Sequence, residues 1–181
     1  MSSKIYQIGF DFSYALADIA KQKSNICSIE LFDNTPELFD QFEYEWNTEE
    51  STQIPNLILI MSKLLGVSSE YYSTIAHVVS PIKTKLVDIG GKSYNIFTEV
   101  RMIKSALNLR KSKLTRFSTG DILSVDSPVF LPQNYPPLFK IEEAPTTFFC
   151  SELLYDEIIT NKLQGWKFKA CPIKDDSWFK F

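Results

Sequence analysis

Chemistry has few places to start in this chain, because His77 is the one histidine among 181 residues. A Ser-His-Asp triad or a Cys-His pair would have to use that imidazole, and a two-histidine metal site is excluded. His77 lies between Ala76 and Val78-Val79, where a packed or partly exposed histidine is the ordinary reading. The carboxylate pairs Glu49-Glu50, Glu142-Glu143 and Asp175-Asp176 have the groups for general acid–base work. Adjacent acids, however, point in different directions on a strand or helix, and solvated charge accounts for them more simply. Gly90-Gly91 has the freedom to cradle a phosphate, but a tight hairpin needs the same residues and suits their flanks better. No Gly-x-Ser-x-Gly elbow, phosphate loop or His-Glu-x-x-His helix is present. Enzymatic activity has no positive support, and no catalytic, cofactor-binding or metal-ligating residue is assigned. The alternative is a small hydrolase or transferase with His77 or a carboxylate in a pocket.

Charge is informative where catalytic motifs are not. Between Ser24 and Ser62 stand eight acids (Glu30, Asp33, Glu37, Asp40, Glu43, Glu45, Glu49, Glu50) and no Lys or Arg. From Arg101 to Arg116 stand six bases (Arg101, Lys104, Arg110, Lys111, Lys113, Arg116) and no acid. A net charge of -3 conceals this segregation. The two segments either neutralise each other or stay solvated, or else the acidic one steers a basic partner by raising its association rate. A nucleic-acid face around Arg110 is the rival, but no aromatic stacking platform accompanies it and the protein is acidic overall.

The elements that must carry these residues mix strands with a few helices. Residues 5–10 read as an opening strand, 14–21 as a short helix or turn, and 26–32 as a strand rich in β-branched and aromatic side chains. Asn34-Thr-Pro36 is a break. Phe39, Phe42 and Trp46 then recur at helical spacing before residues 48–53 loop out. Residues 85–97 form the clearest hairpin, turning on Gly90-Gly91. Residues 99–107 follow as a helix with Val100, Ile103 and Leu107 on one face. Short strands are expected at 114–117, 122–125, 128–131 and 138–141. The predicted class is α+β, with mixed, mainly antiparallel sheets and a few packed helices, in a single domain over residues 1–181.

The chain ends in a complete strand–helix–strand unit. Phe148 and Phe149 precede Ser151 as helix N-cap and Glu152 in the first turn, Leu154 and Ile158 continue one side, and Gly165 offers the left-handed position after the helix. An echo lies upstream, where an apolar run over 57–61 leads to a helix opened by Ser69-Glu70 and closed by residues 78–83. The two units end in Ser-Pro-Ile-Lys and Cys-Pro-Ile-Lys, so a weak internal duplication is one reading. Common helix starts and proline strand ends are the other.

These motifs carry a resemblance. The Ser151-Glu152 helix running into Leu163-Gln-Gly165-Trp-Lys-Phe168, with Tyr94-Asn-Ile-Phe97, Val100-Arg-Met-Ile-Lys-Ser-Ala-Leu-Asn-Leu109 and Lys111-Ser112, resembles the immunity protein eleven family of bacterial polymorphic toxin systems. Asn108 departs from the Asp expected there. The resemblance implies a non-enzymatic protein that binds and neutralises a cognate toxin domain by covering its surface, with no cofactor, nucleic acid or membrane involved. A generic adaptor is a further alternative. The partner surface expected from the sequence is Phe39, Glu43, Trp46, Glu49 and Glu50, an acidic stretch with aromatic anchors. Cys27, Cys150 and Cys171 have no Cys-x-x-Cys spacing and no even count, and read as buried free thiols. With no apolar leader and no membrane-length run, the expected location is the cytoplasm.

Overall fold

The structure, a computed structural model, describes residues 4–22, 36–61 and 63–175. The strand expected at 26–32, with Cys27, lies outside the described residues, and so does most of the break before Pro36. The class is α+β, as the sequence predicts. The chain divides into two compact units, one of Met1–Ile8, Arg101–Tyr155 and Phe168–Phe181, the other of Gly9–Val100 and Asp156–Lys167.

In the second unit, β2 (Leu16–Gln22), β3 (Phe42–Asn47), β4 (Leu57–Ile60), β5 (Leu64–Ser68), β6 (Thr84–Ile89) and β7 (Lys92–Phe97) form a six-stranded sheet in the order β2-β3-β6-β7-β5-β4. Its two edge strands, β2 and β4, approach each other, so the sheet rolls around its own apolar face. Phe39, Tyr44, Ile58, Ile60, Ile89, Tyr94 and Ile96 fill that interior. The hairpin of β6 and β7 turns on Gly90 (φ 56°) and Gly91 (φ 83°), both left-handed as a two-residue turn demands. Helix α1 (Ser69–Val79) packs on β5 and β7 and buries Ile75, Val78 and Val79. Residues 78–79 thus finish the helix instead of opening the next strand.

In the first unit the order is β13 (Trp166–Cys171), β1 (Ile5–Phe10), β12 (Ala144–Ser151), β11 (Leu138–Ile141) and β8 (Arg101–Ile103), with α2 (Glu152–Thr160) running on from β12. Phe130, Phe139 and Phe149 meet with centroids 5.2–6.0 Å apart and, with Tyr135 and Ile141, form the core. Such aromatic clusters add edge-on and offset attraction to plain burial. A separate two-stranded ribbon, β9 (Lys113–Arg116) and β10 (Ile122–Ser127), completes this unit.

Four expectations are corrected, the first being the strand at 128–131, where Phe130 makes isolated bridges to Leu107 and Ile173 in place of a ladder. Where a short helix or turn is expected over 14–21, Leu16–Gln22 is strand β2, paired with β3. The Phe39–Trp46 stretch is a 3-10 turn (Pro36–Gln41) followed by a strand, because Phe42, Tyr44 and Trp46 alternate with Glu43 and Glu45 and satisfy a period of two. Residues 99–107 hold the short parallel strand β8, and Ser105 at φ 49° breaks any helix there. The end of α2 also differs in detail. Lys162 (φ 56°) takes the left-handed C′ place, with Leu163 N–H donating to Ile158 O at 3.0 Å and Lys162 N–H to Ile159 O at 3.1 Å, a Schellman pair. Gly165 (φ 124°) serves a close approach instead, since a Cβ there would lie 1.9 Å from Leu57 O.

Candidate functional site

The acidic stretch becomes a surface through the pleat of β3. Phe42 and Tyr44 point into the rolled sheet, so Glu43 and Glu45 must point out, and both are exposed. Across the β2 ladder, Asp18 stands directly opposite Glu45 and Lys21 opposite Glu43. Like charges placed directly opposite destabilise a strand pair. Neither Asp18 nor Glu45 takes part in an ion pair among the described residues. On the other side β6 turns Asp88 and Leu86 outward, with Leu86 60% exposed amid the carboxylates. Glu49 and Glu50 follow in an exposed bend, where Asn47 Oδ1 accepts the Glu49 N–H at 3.1 Å.

Strands β3 and β6 register at one pair, Tyr44 opposite Ile89, and separate beyond it. The gap is a cleft of about 480 Å³ walled by Asp40, Glu43, Tyr44, Leu86 and Asp88. Asp40 accepts Lys85 Nζ at 2.6 Å. Burial, and after it the Asp40 carboxylate, pushes the Tyr44 phenol above its ordinary range, so it is a neutral hydroxyl wall.

Phe39 and Trp46 stand apart from the three glutamates of the expected surface. Phe39 is 1% exposed, committed to the interior. The Trp46 indole donates to Ile89 O at 3.0 Å and lies edge-on to Tyr94, and a Cβ on Gly90 would come within 2.8 Å of it. Both rings pack the fold. Sequence reasoning named Glu45 among the eight acids but missed Asp18, Asp88 and Leu86 as parts of this face, although for Asp88 and Leu86 the alternation in 84–89 held the signal.

His77 sits exposed on α1 with Nε2 3.3 Å from Glu157 Oε1, an inter-helix contact away from the cleft just described. Glu142 pairs with Lys104 at 3.1 Å, and Glu143 is taken up below. Cys150 and Cys171 are buried free thiols, both raised in pKa by burial. Among the described residues no group of three or more His, Cys, Asp or Glu side chains is placed to hold a metal ion, and no helix is long and apolar enough to cross a membrane. No protein-family model matches this chain, and no curated protein does.

Proposed function

We propose that this chain is an immunity protein that binds a cationic toxin domain and neutralises it by occlusion, without catalysis, in the cytoplasm of the cell that makes both. The observation that carries the reading is the outward face of β2, β3 and β6, where Asp18 and Glu45 oppose each other and Asp88, Glu49 and Glu50 extend the charge. A fold that sets two carboxylates opposite each other, with no ion pair to either among the described residues, gives up stability at a place where a cationic partner can supply charge. Leu86 offers an apolar anchor within that field. A standard interface of roughly 800 Å² per partner is enough, and its acidic rim accelerates encounter. The choice of a toxin as the partner rests on the motif resemblance of Ser151-Glu152, Leu163-Gln-Gly165-Trp-Lys-Phe168 and Tyr94-Asn-Ile-Phe97 to the immunity protein eleven family.

The test is to express the neighbouring upstream open reading frame with and without this chain. Growth arrest relieved by co-expression supports the reading. Absence of toxicity, or toxicity that this chain fails to relieve, removes it.

A further inference from the structure

A second site lies in the other unit and owes nothing to the acidic face. The ribbon of β9 and β10 forms its own sheet, and among the described residues β10 pairs with β9 alone. Two-stranded ribbons are marginal alone and gain from a third strand. Facing β10 is the start of β12, whose ladder with β1 ends at Ile8 opposite Phe148, so residues 145–147 run beyond it. Between residues 122–125 of β10 and 144–147 of β12 lies a groove of about 810 Å³, a size suited to a peptide-scale ligand.

At the rim of this groove is a group in want of a donor. Glu143 Oε2 is buried and has no hydrogen-bond partner among the described residues. A buried carboxylate oxygen left unpaired is costly, and because Glu143 as a whole is only partly buried, turning its carboxylate to meet a cation or N–H donor in the groove removes that cost. The neighbouring charges do not supply it. Glu142 is held by Lys104, and the Arg116 guanidinium donates to Gly120 O at 2.7 Å. Asp121 adds a further carboxylate to the wall.

We propose that this groove binds an extended peptide segment of a partner protein by strand addition, with a lysine or arginine side chain seated on Glu143. Backbone groups along residues 122–125, with Thr146 and Thr147 across the groove, supply the ladder, since Pro145 has no N–H and Ala144 is paired with Ile141, and Glu143 supplies the preference for a cation. The two open edges explain the contiguous lining, and the buried oxygen explains the charge.

Selection of a random hexapeptide display library on the full chain, followed by synthesis of the enriched peptides, tests this. The expected result is enrichment of a single Lys or Arg position, with at least tenfold weaker binding when that residue becomes Gln, and new amide-exchange protection within residues 122–125. Glu143→Gln should erase the tenfold preference while raising the denaturation midpoint of the free chain, a pairing that a purely structural carboxylate does not produce. Ser124→Pro, which removes a backbone N–H and restricts φ within β10, should weaken all the peptides, and Ser124→Ala should not. Failure to enrich any peptide, or a cation preference that persists in Glu143→Gln, overturns the proposal.

Discussion

The two larger sheets share one plan. Hairpin β4–β5, helix α1 and strand β6 are matched by hairpin β11–β12, helix α2 and strand β13. In each sheet a further antiparallel strand lies between the post-helix strand and the hairpin, giving β6-β7-β5-β4 in one and β13-β1-β12-β11 in the other. The intervening strand follows β6 directly in the first case but comes from the start of the chain in the second. Even single bonds correspond. Ser68 N–H donates to Asn56 O, and Ser151 N–H donates to Pro137 O, in both cases from the strand's last residue to the one before its hairpin partner. The differences lie in what is added. One unit gains β2 and β3, which roll the sheet and turn carboxylates outward. The other gains β8 and a detached ribbon, which leave strand edges open. The shared plan accounts for stability, and the additions are where binding is to be sought.

The largest expected effect falls on the close approach of Gly165 to the start of β4. Gly165→Val puts a side chain into Leu57 O and Pro55, and should destabilise by about 3–5 kcal/mol in urea unfolding. A loss below 1 kcal/mol would show that this approach is loose. Alkali should come next and should strike the five-stranded sheet through its thiols. Burial lifts Cys171 to about 11 and Cys150 higher. The folded state therefore favours the neutral thiol. The contribution is complete below the unfolded value of about 8.5 and is lost as pH rises toward 11, at up to about 1.4 kcal/mol per pH unit per group. Cys171→Ala should flatten the fall in midpoint between pH 8.5 and 11, and an unchanged slope would contradict the assignment.

Each unit also ties a loop with one buried tyrosine. Tyr94 Oη donates to Pro55 O at 2.6 Å, and Tyr135 Oη contacts Leu131 O at 2.8 Å and Ala106 O at 3.1 Å. Both Tyr94→Phe and Tyr135→Phe should cost about 1–2 kcal/mol by removing the hydroxyl donor from Pro55 O and from Leu131 O, while Ala106 O keeps the Leu131 N–H. A neutral result in one alone would break the parallel. The smallest effect has the opposite sign. Lys162→Gly relieves a left-handed lysine and should stabilise by about 0.5–1 kcal/mol, whereas a loss would mean that the Lys162 side chain contributes more than its backbone costs.

Local chemistry decided what the sequence could reveal. Gly90-Gly91 and the Ser-Glu helix starts act through their own backbone, and those elements formed as read. Phe39, Phe42 and Trp46 misled because spacings of three and four also arise when a turn residue precedes a strand. The alternation of Phe42-Glu43-Tyr44-Glu45-Trp46 was the better guide. Residues 101–103 became a strand because β11 was available to pair with them, a distant choice that no local window records. The expected surface survives in Glu43, Glu49 and Glu50 as exposed acids, while Phe39 and Trp46 went inward as the core stripe they equally resembled. The open edge of β10 was illegible, since an edge is defined by the neighbour a strand lacks.

The account rests most heavily on the acidic face, and charge neutralisation tests it directly. Against the cationic partner proposed above, the triple variant Glu43→Gln, Glu49→Gln, Glu50→Gln should associate about tenfold more slowly and with a flatter salt dependence, because rim charges act through long-range encounter screened over roughly 8 Å at physiological ionic strength. The free variant should keep its denaturation midpoint. Unaltered association kinetics and salt slope, with the partner still bound, would contradict the claim.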